Sequence, residues 1–199
     1  KCKELEKNFN IKFTLEESPA ESTSLRLAKI DLERFPESKN FVRGNIDKGE
    51  VYYTNSVHFV PDAPISIGER IEKQGKFNSL IESGSITHVF VGENLPDADS
   101  IGNLVKKTWE TTQSAQLVFS PEFTVCDDCK RVYLGFRRTS EQKCKFCGSE
   151  NIYGISRVVG YYSVIGGKIK GQHFEGWIKS KQAEFRDRQK GDYGVSHAD

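Results

Sequence analysis

The sequence predicts an α/β fold in three parts: strand–helix units over residues 1–120, a small cysteine-bearing ribbon over 121–150, and an apolar run with a charged terminal helix and tail over 151–199. Three observations carry this. Two-residue and helical hydrophobic periods alternate through the first part. Two Cys-x2-Cys pairs then stand fourteen residues apart, Cys126 with Cys129 and Cys144 with Cys147. After them comes an aromatic, β-branched stretch broken by Gly154 and Gly160.

The elements follow in order. Residues 11–15, Ile-Lys-Phe-Thr-Leu, alternate as a half-buried strand does. Ser18, Pro19 and Glu21 spell a helix start: a capping hydroxyl, a proline at the first helical position and a carboxylate three residues after the cap. Leu25, Ala28, Leu32 and Phe35 share one face of that helix, and Pro36 ends it. Residues 41–49 are polar with glycines and read as a loop, and residues 51–55 as a strand. Ile67, Ile71, Phe77 and Leu80 mark a second helix, interrupted in propensity by Gly75. Residues 86–91 form a buried strand, and residues 97–111 a helix with Ile101, Leu104, Val105 and Trp109 along one stripe. Beyond the cysteines, residues 166–171 read as a glycine-rich loop and 174–188 as a helix with a solvated, charged face.

At 199 residues the chain is long enough for one domain plus a small metal module. Its 29 basic and 28 acidic residues nearly cancel, so no global field draws it to nucleic acid or an anionic membrane. No run approaches the roughly 18 apolar residues that span a bilayer, and the first residues are not a signal peptide. A soluble, cytoplasmic protein is expected. It begins with lysine and lacks methionine, as a processed product or a piece of a longer protein would.

Thiolates favour zinc, and two pairs joined by a hairpin-sized spacer supply four ligands with no position left for water. Cys126, Cys129, Cys144 and Cys147 are therefore the expected ligands of a structural Zn2+; an iron–sulfur cluster and a redox dithiol are the alternatives. Cys2 is left over as an unpaired thiol. The spacer also holds Lys130, Arg131, Arg137 and Arg138, either a solvated face or a contact for phosphates.

Arg157-Val158-Val159-Gly160-Tyr161, just after the cysteine pairs, resembles the radical loop of glycyl radical enzymes, and the zinc module narrows the resemblance to the anaerobic, class III ribonucleotide reductases. Glu17-Ser18-Pro19-Ala20-Glu21, Tyr53-Thr54-Asn55-Ser56 and His88-Val89-Phe90-Val91-Gly92-Glu93 are similar to segments of that family in the same order, so the resemblance runs over nearly the whole chain. It implies a partial, half glycyl-radical-enzyme barrel followed by the zinc ribbon and the radical loop, with Gly160 as the radical site. A glycine α-carbon has no side chain, so the radical left by hydrogen removal flattens and delocalises over both neighbouring amides. Such a radical needs cover from dioxygen and water. Val158, Val159, Tyr161 and Tyr162 are the expected sheath and Arg157 the hydrogen-bonding anchor.

The resemblance further implies the carboxyl-terminal portion of an enzyme that reduces ribonucleoside triphosphates to 2'-deoxyribonucleotides for DNA synthesis. Its implied partners are an iron–sulfur, S-adenosylmethionine-dependent activase that installs the glycyl radical, and an upstream reductase portion or a homologous full-length subunit. The family's thiyl cysteine has no match here, since Cys2 lies too close to the segment at 11–21; the isolated chain is expected to be inactive, whether as a split subunit, a processed piece or a relic. A helix amino terminus with free amides makes Ser18, Ala20, Glu21 and Ser22 a candidate phosphate site. Glu17 is a candidate acid or base at the ribose, with a solvated pair of acids, Glu16 and Glu17, as the plain alternative. His88, on an apolar strand, reads as a core histidine.

A reading of another class remains: a zinc-ribbon adaptor or nucleic-acid-binding protein without catalysis.

Overall fold

In a computed structural model of the chain, all residues are described except 18–20, 55–57, 93–95, 137–141, 158–159 and 189–199, with Glu21 and Gly92 described by their backbone alone. Helix α1 (Cys2–Phe9) ends on Asn10 in the left-handed conformation, φ 54°. Residues 12–17 are not a strand. They run beside residues 83–86 through single contacts, Ser83 N–H to Leu15 O and Glu17 N–H to Gly84 O, both at 3.0 Å. Alternation marked the segment as half-buried, but among the described residues no strand offers it a ladder.

Helix α2 (Glu21–Arg34) stops before Pro36, which opens a 3-10 turn, Pro36–Asn40. Ala28 packs against Val42 and Val51, and Leu25 and Leu32 close over them, as the apolar spacing required. The stretch expected to be a loop at 41–49 contains β1 (Arg43–Asn45), which pairs antiparallel with β2 (Glu50–Tyr52). Gly49 at φ 64° lets so polar a segment turn back on itself.

Helix α3 (Ile67–Asn78) begins with a reciprocal cap: the Ser66 hydroxyl accepts from Glu69 N–H, and the Glu69 carboxylate accepts from Ser66 N–H. Gly75 does not break it. A Cβ there would stand 2.7 Å from Ser114 N, so glycine is what lets α3 lie against the backbone at Gln113 and Ser114. The buried face carries Arg70, Ile71 and Gln74, whereas Phe77 and Leu80 of the expected stripe are exposed. Strand β3 (Thr87–Gly92), helix α4 (Ala98–Thr111) and strand β4 (Leu117–Pro121) form a parallel βαβ unit. Asp97 caps α4 by accepting from Ser100 N–H at 2.8 Å. Of the predicted stripe on α4, Val105 and Trp109 face solvent.

The remaining strands are β5 (Phe123–Cys126), β6 (Val132–Leu134), β7 (Ile152–Arg157), β8 (Tyr162–Ile169) and β9 (Gln172–Glu175). They form one antiparallel sheet in the order β6-β5-β7-β8-β9. The expected loop at 166–171 is mostly strand: β8 continues to Ile169, and only Lys170 (φ 48°) and Gly171 (φ 78°) make the two-residue turn into β9. No half barrel is shown among the described residues: β3 and β4 pair with each other and β1–β2 is a separate hairpin.

Helix α5 (Lys179–Arg188) overturns the expectation of a solvated face. Ser180 through Phe185, Asp187 and Arg188 are all buried. Phe185 enters a core with Phe136, Ile165 and Trp177. Two of the buried polar residues have partners outside the helix: Asp187 accepts from the Tyr52 hydroxyl at 2.6 Å, and Gln182 donates to Ile165 O at 2.6 Å. No helix among the described residues is long and apolar enough to cross a membrane.

Candidate functional site

The four cysteines expected to bind metal converge. Their sulfurs lie within 4.8 Å of one another, with Cys126 Sγ 3.6 Å from Cys147 Sγ and Cys129 Sγ 3.7 Å from Cys144 Sγ. Four sulfurs at about 2.3 Å from a central zinc stand about 3.8 Å apart in a tetrahedron. The two pairs are built alike. Lys130 N–H donates to Cys126 O and Gly148 N–H to Cys144 O, with Lys130 and Gly148 both left-handed, while Cys129 N–H and Phe146 N–H point at the first sulfur of their pair. Strand β5 delivers Cys126 into this site, and β7 begins with Ile152 packed on Cys126 and Cys144. Burial raises the Cys144 thiol, but the Phe146 and Cys147 amides outweigh it and bring the group down to about 6. Cys147 goes up to about 12: the Ser149 amide lowers it, and burial with three neighbouring thiols raises it more. Four thiolates this close together require a cation to offset their charge.

Gly160 sits in the connection between β7 and β8, on the same sheet. Its carbonyl accepts from Arg157 Nη2 at 2.7 Å, and the Arg157 guanidinium lies 5.5 Å from the Tyr162 ring. The expected dry sheath is not formed by this chain's described residues. Gly160 is exposed, nothing lies within 4 Å of where a Cβ would be, and Tyr161 and Tyr162 are 55% and 44% exposed. Tyr162 opens β8 with its ring 5.9 Å from that of Phe123, and Tyr161 precedes it; Val158 and Val159 lie outside the described residues.

Of the candidate phosphate site, Ser18 and Ala20 lie outside the described residues. Glu21 begins α2, and Ser22 is exposed on its first turn. Glu17 is half-buried and accepts from Ile86 N–H at 3.0 Å, which ties it to the start of the β3 segment. His88 is 4% exposed; its Nδ1 lies 3.3 Å from Ser120 Oγ on β4, and its ring stacks 5.7 Å from Phe90. Burial, then the charges of His58, Arg188 and Arg157, lower it to about 3, so the ring is neutral at any ordinary pH. It is a core histidine, and its Nε2 has no hydrogen-bond partner among the described residues.

Sequence reasoning missed the ion network on α5. Glu184 accepts from Lys181 Nζ and from Arg188 Nη2, each at 2.5 Å. Burial raises this carboxyl, but the charges of Arg188 and Lys181 more than offset it and hold the group below its ordinary value. The signal was present as Lys181, Glu184 and Arg188 at helical spacings of three and four, on one face. A polar cleft of about 610 Å³ between the β1–β2 hairpin and α5 is lined by Arg43, Lys48, Glu50, Asp62, Arg186 and Asp187. Its charges are largely matched within the chain, Arg43 with Asp62 and Arg186 with Glu50, and it holds none of the expected site residues.

A sequence model of the family described as anaerobic ribonucleoside-triphosphate reductase matches residues 1–190. The chain belongs to this family. Among curated relatives of the family, the anaerobic ribonucleoside-triphosphate reductase of Enterobacteria phage T4 is 25% identical over 154 residues, covering 75% of this chain and 24% of the phage protein. Among solved structures, the anaerobic ribonucleotide reductase of Thermotoga maritima superposes with a TM-score of 0.62 at 22% identity with glycerol in its active site, and 0.61 with MES there. Each superposition covers 82% of this chain and 24% of that one. The fold is thus shared with a known reductase, and this family member spans about a quarter of the length of the relatives it matches.

Proposed function

We propose that this chain is the carboxyl-terminal, glycyl radical portion of an anaerobic ribonucleotide reductase, with Gly160 as the residue that loses a hydrogen atom from its α-carbon. The observation that carries the reading is the family match through residue 190, which includes the Gly160 turn and the cysteine cluster on one sheet. An exposed turn suits the first step, because an activase must reach the α-carbon directly. Storage of the radical then needs the cover that Tyr161 and Tyr162 do not supply here, which the remainder of the reductase, or a homologous full-length subunit, provides on docking. The cysteine that attacks the ribose lies outside these 199 residues. Cys126, Cys129, Cys144 and Cys147 hold a Zn2+ ion that has no part in the chemistry; it fixes the end of β5 and the entry to β7. Glu17 is bound to a backbone amide and can serve as an acid or base only if that bond opens. Ser22, with the neighbouring residues 18–21, takes the substrate triphosphate at the amino terminus of α2.

The test is anaerobic electron paramagnetic resonance after incubation with an iron–sulfur activase, S-adenosylmethionine and a reductant, with and without the upstream reductase portion, followed by air and intact-mass analysis. A glycyl doublet and air-dependent cleavage at Gly160 are expected. Silence in both preparations refutes the assignment.

One surface favours a second reading. Arg131 lies 4.6 Å from the Phe146 ring and Lys145 lies 4.7 Å from the Tyr133 ring, a basic and aromatic face on the cysteine module. An adaptor that binds single-stranded nucleic acid there would show binding that weakens steeply with salt; salt-independent or absent binding removes that reading.

A further inference from the structure

The buried ions of α5 connect to the Gly160 turn by an unbroken set of contacts. Arg188 uses its two terminal nitrogens differently: Nη2 donates to Glu184 at 2.5 Å, and Nη1 donates to the carbonyl oxygen of Arg157 at 2.8 Å. Arg157 is the last residue of β7, and its own guanidinium donates to Gly160 O. The Arg188 guanidinium also lies 4.1 Å from the Phe90 ring on β3 and 5.5 Å from Trp177. One planar group therefore touches the parallel β3–β4 unit, the helix and the strand from which the turn springs. The Arg188 side chain is 2% exposed and Glu184 is 8% exposed, so the pair is held in place and neither partner can relax into water.

We propose that Arg188 is a positioning residue for the Gly160 turn: by bridging buried Glu184 and the Arg157 carbonyl, it makes the docking of α5 set the orientation of the loop. The geometry stands by itself, while its consequence for catalysis rests on Gly160 being the radical site. A merely structural arginine would stabilise the helix and leave the turn untouched by substitutions that spare the helix. The arrangement here predicts the opposite, because the contact to β7 uses a nitrogen that the contact to Glu184 does not.

R188K separates the two roles. Lysine keeps the positive charge beside Glu184 but replaces two nitrogens held apart in one plane by a single ammonium. The comparison variant is F185L, which weakens α5 packing in the core of Phe136, Ile165 and Trp177 without touching the network. Hydrogen exchange by mass spectrometry on the full chain, zinc-loaded, reads the peptide that carries Gly160. R188K is expected to raise its exchange rate about tenfold or more, the loss of one hydrogen bond to a charged group, with zinc content unchanged. F185L is expected to change it less than twofold at equal or greater loss of melting temperature. Unchanged exchange in R188K, or an equal rise in F185L, overturns the proposal. Should R188K fail to fold by circular dichroism, K181M/E184Q/R188Q, which removes all three charges together, carries the same comparison. Radical yield after activation is the second readout, expected to fall with the exchange change in R188K and not in F185L. A wild-type chain that gives no radical under any activation condition counts against the glycyl radical reading, and the exchange result still decides the role of Arg188.

Discussion

Acidification from pH 7 to pH 5 should destabilise this protein through His88 specifically. In the folded chain burial, with His58, Arg188 and Arg157 nearby, keeps the imidazole neutral down to about 3, against an ordinary value of 6.5, and Glu184 opposes that only in part. The unfolded chain therefore takes up a proton below 6.5 that the folded chain refuses. Stability from this group is complete above 6.5 and is lost as the pH falls. A pH of 5 lies about 1.5 units below the unfolded histidine's ordinary value, which at about 1.4 kcal/mol per unit gives a loss of about 2 kcal/mol. The result does not depend on where the folded value lies, provided it is well under 5. Urea unfolding of the zinc-loaded chain and of His88→Gln at both pH values is the assay, since the variant retains every other titrating group, the cysteines and Glu184 included. The wild type should lose about 2 kcal/mol more than the variant between the two pH values. Equal losses would show that the folded state admits the proton and that the burial argument is wrong.

Cys144→Ser should lower bound zinc from about one equivalent to a small fraction and open the strand junction at Cys126 and Ile152 to proteases; metal analysis with limited proteolysis checks both. Gly160→Ala should abolish the radical signal while shifting stability by no more than about 0.5 kcal/mol, because nothing stands where the new methyl goes. Gly75→Ala pits helix propensity, a gain of about 1 kcal/mol, against a methyl 2.7 Å from Ser114 N, a cost of about 1–3 kcal/mol. The clash is with backbone rather than a movable side-chain tip, so a lower melting temperature is expected.

Local signals read well where local chemistry decides the outcome. The cysteine spacing placed four sulfurs in one site, and the turn and cap residues around Pro36 and Asp97 placed the helix ends to within a residue or two. Failures came where a distant partner decides. Residues 11–15 have the alternation of a strand but only isolated contacts to 83–86, and strand formation depends on a neighbour that periodicity does not report. Residues 41–49 look like a loop because a three-residue strand with one turn glycine carries too little apolar pattern to register. The stripe on α4 was legible as a stripe, yet Trp109 is 84% exposed, since amphipathicity tells which side is apolar and not what covers it. At the candidate site, Gly160 was singled out by its neighbours in sequence. Its exposure was not legible, because apolar neighbours in sequence do not tell which way their side chains turn, and Tyr161 and Tyr162 are themselves about half exposed.

The enclosed charges of α5 also constrain how this segment can change over time. Losing Lys181 alone leaves Glu184 with half its compensation, losing Arg188 alone strips both Glu184 and the Arg157 carbonyl of a donor, and reversing Glu184 sets three cations together away from water. Each single change breaks a buried pair at a cost of about 3–5 kcal/mol, a large part of a small domain's total stability. Viable drift at positions 181, 184 and 188 therefore has to be concerted, so relatives should carry the trio together or replace it as a block with apolar residues of similar volume.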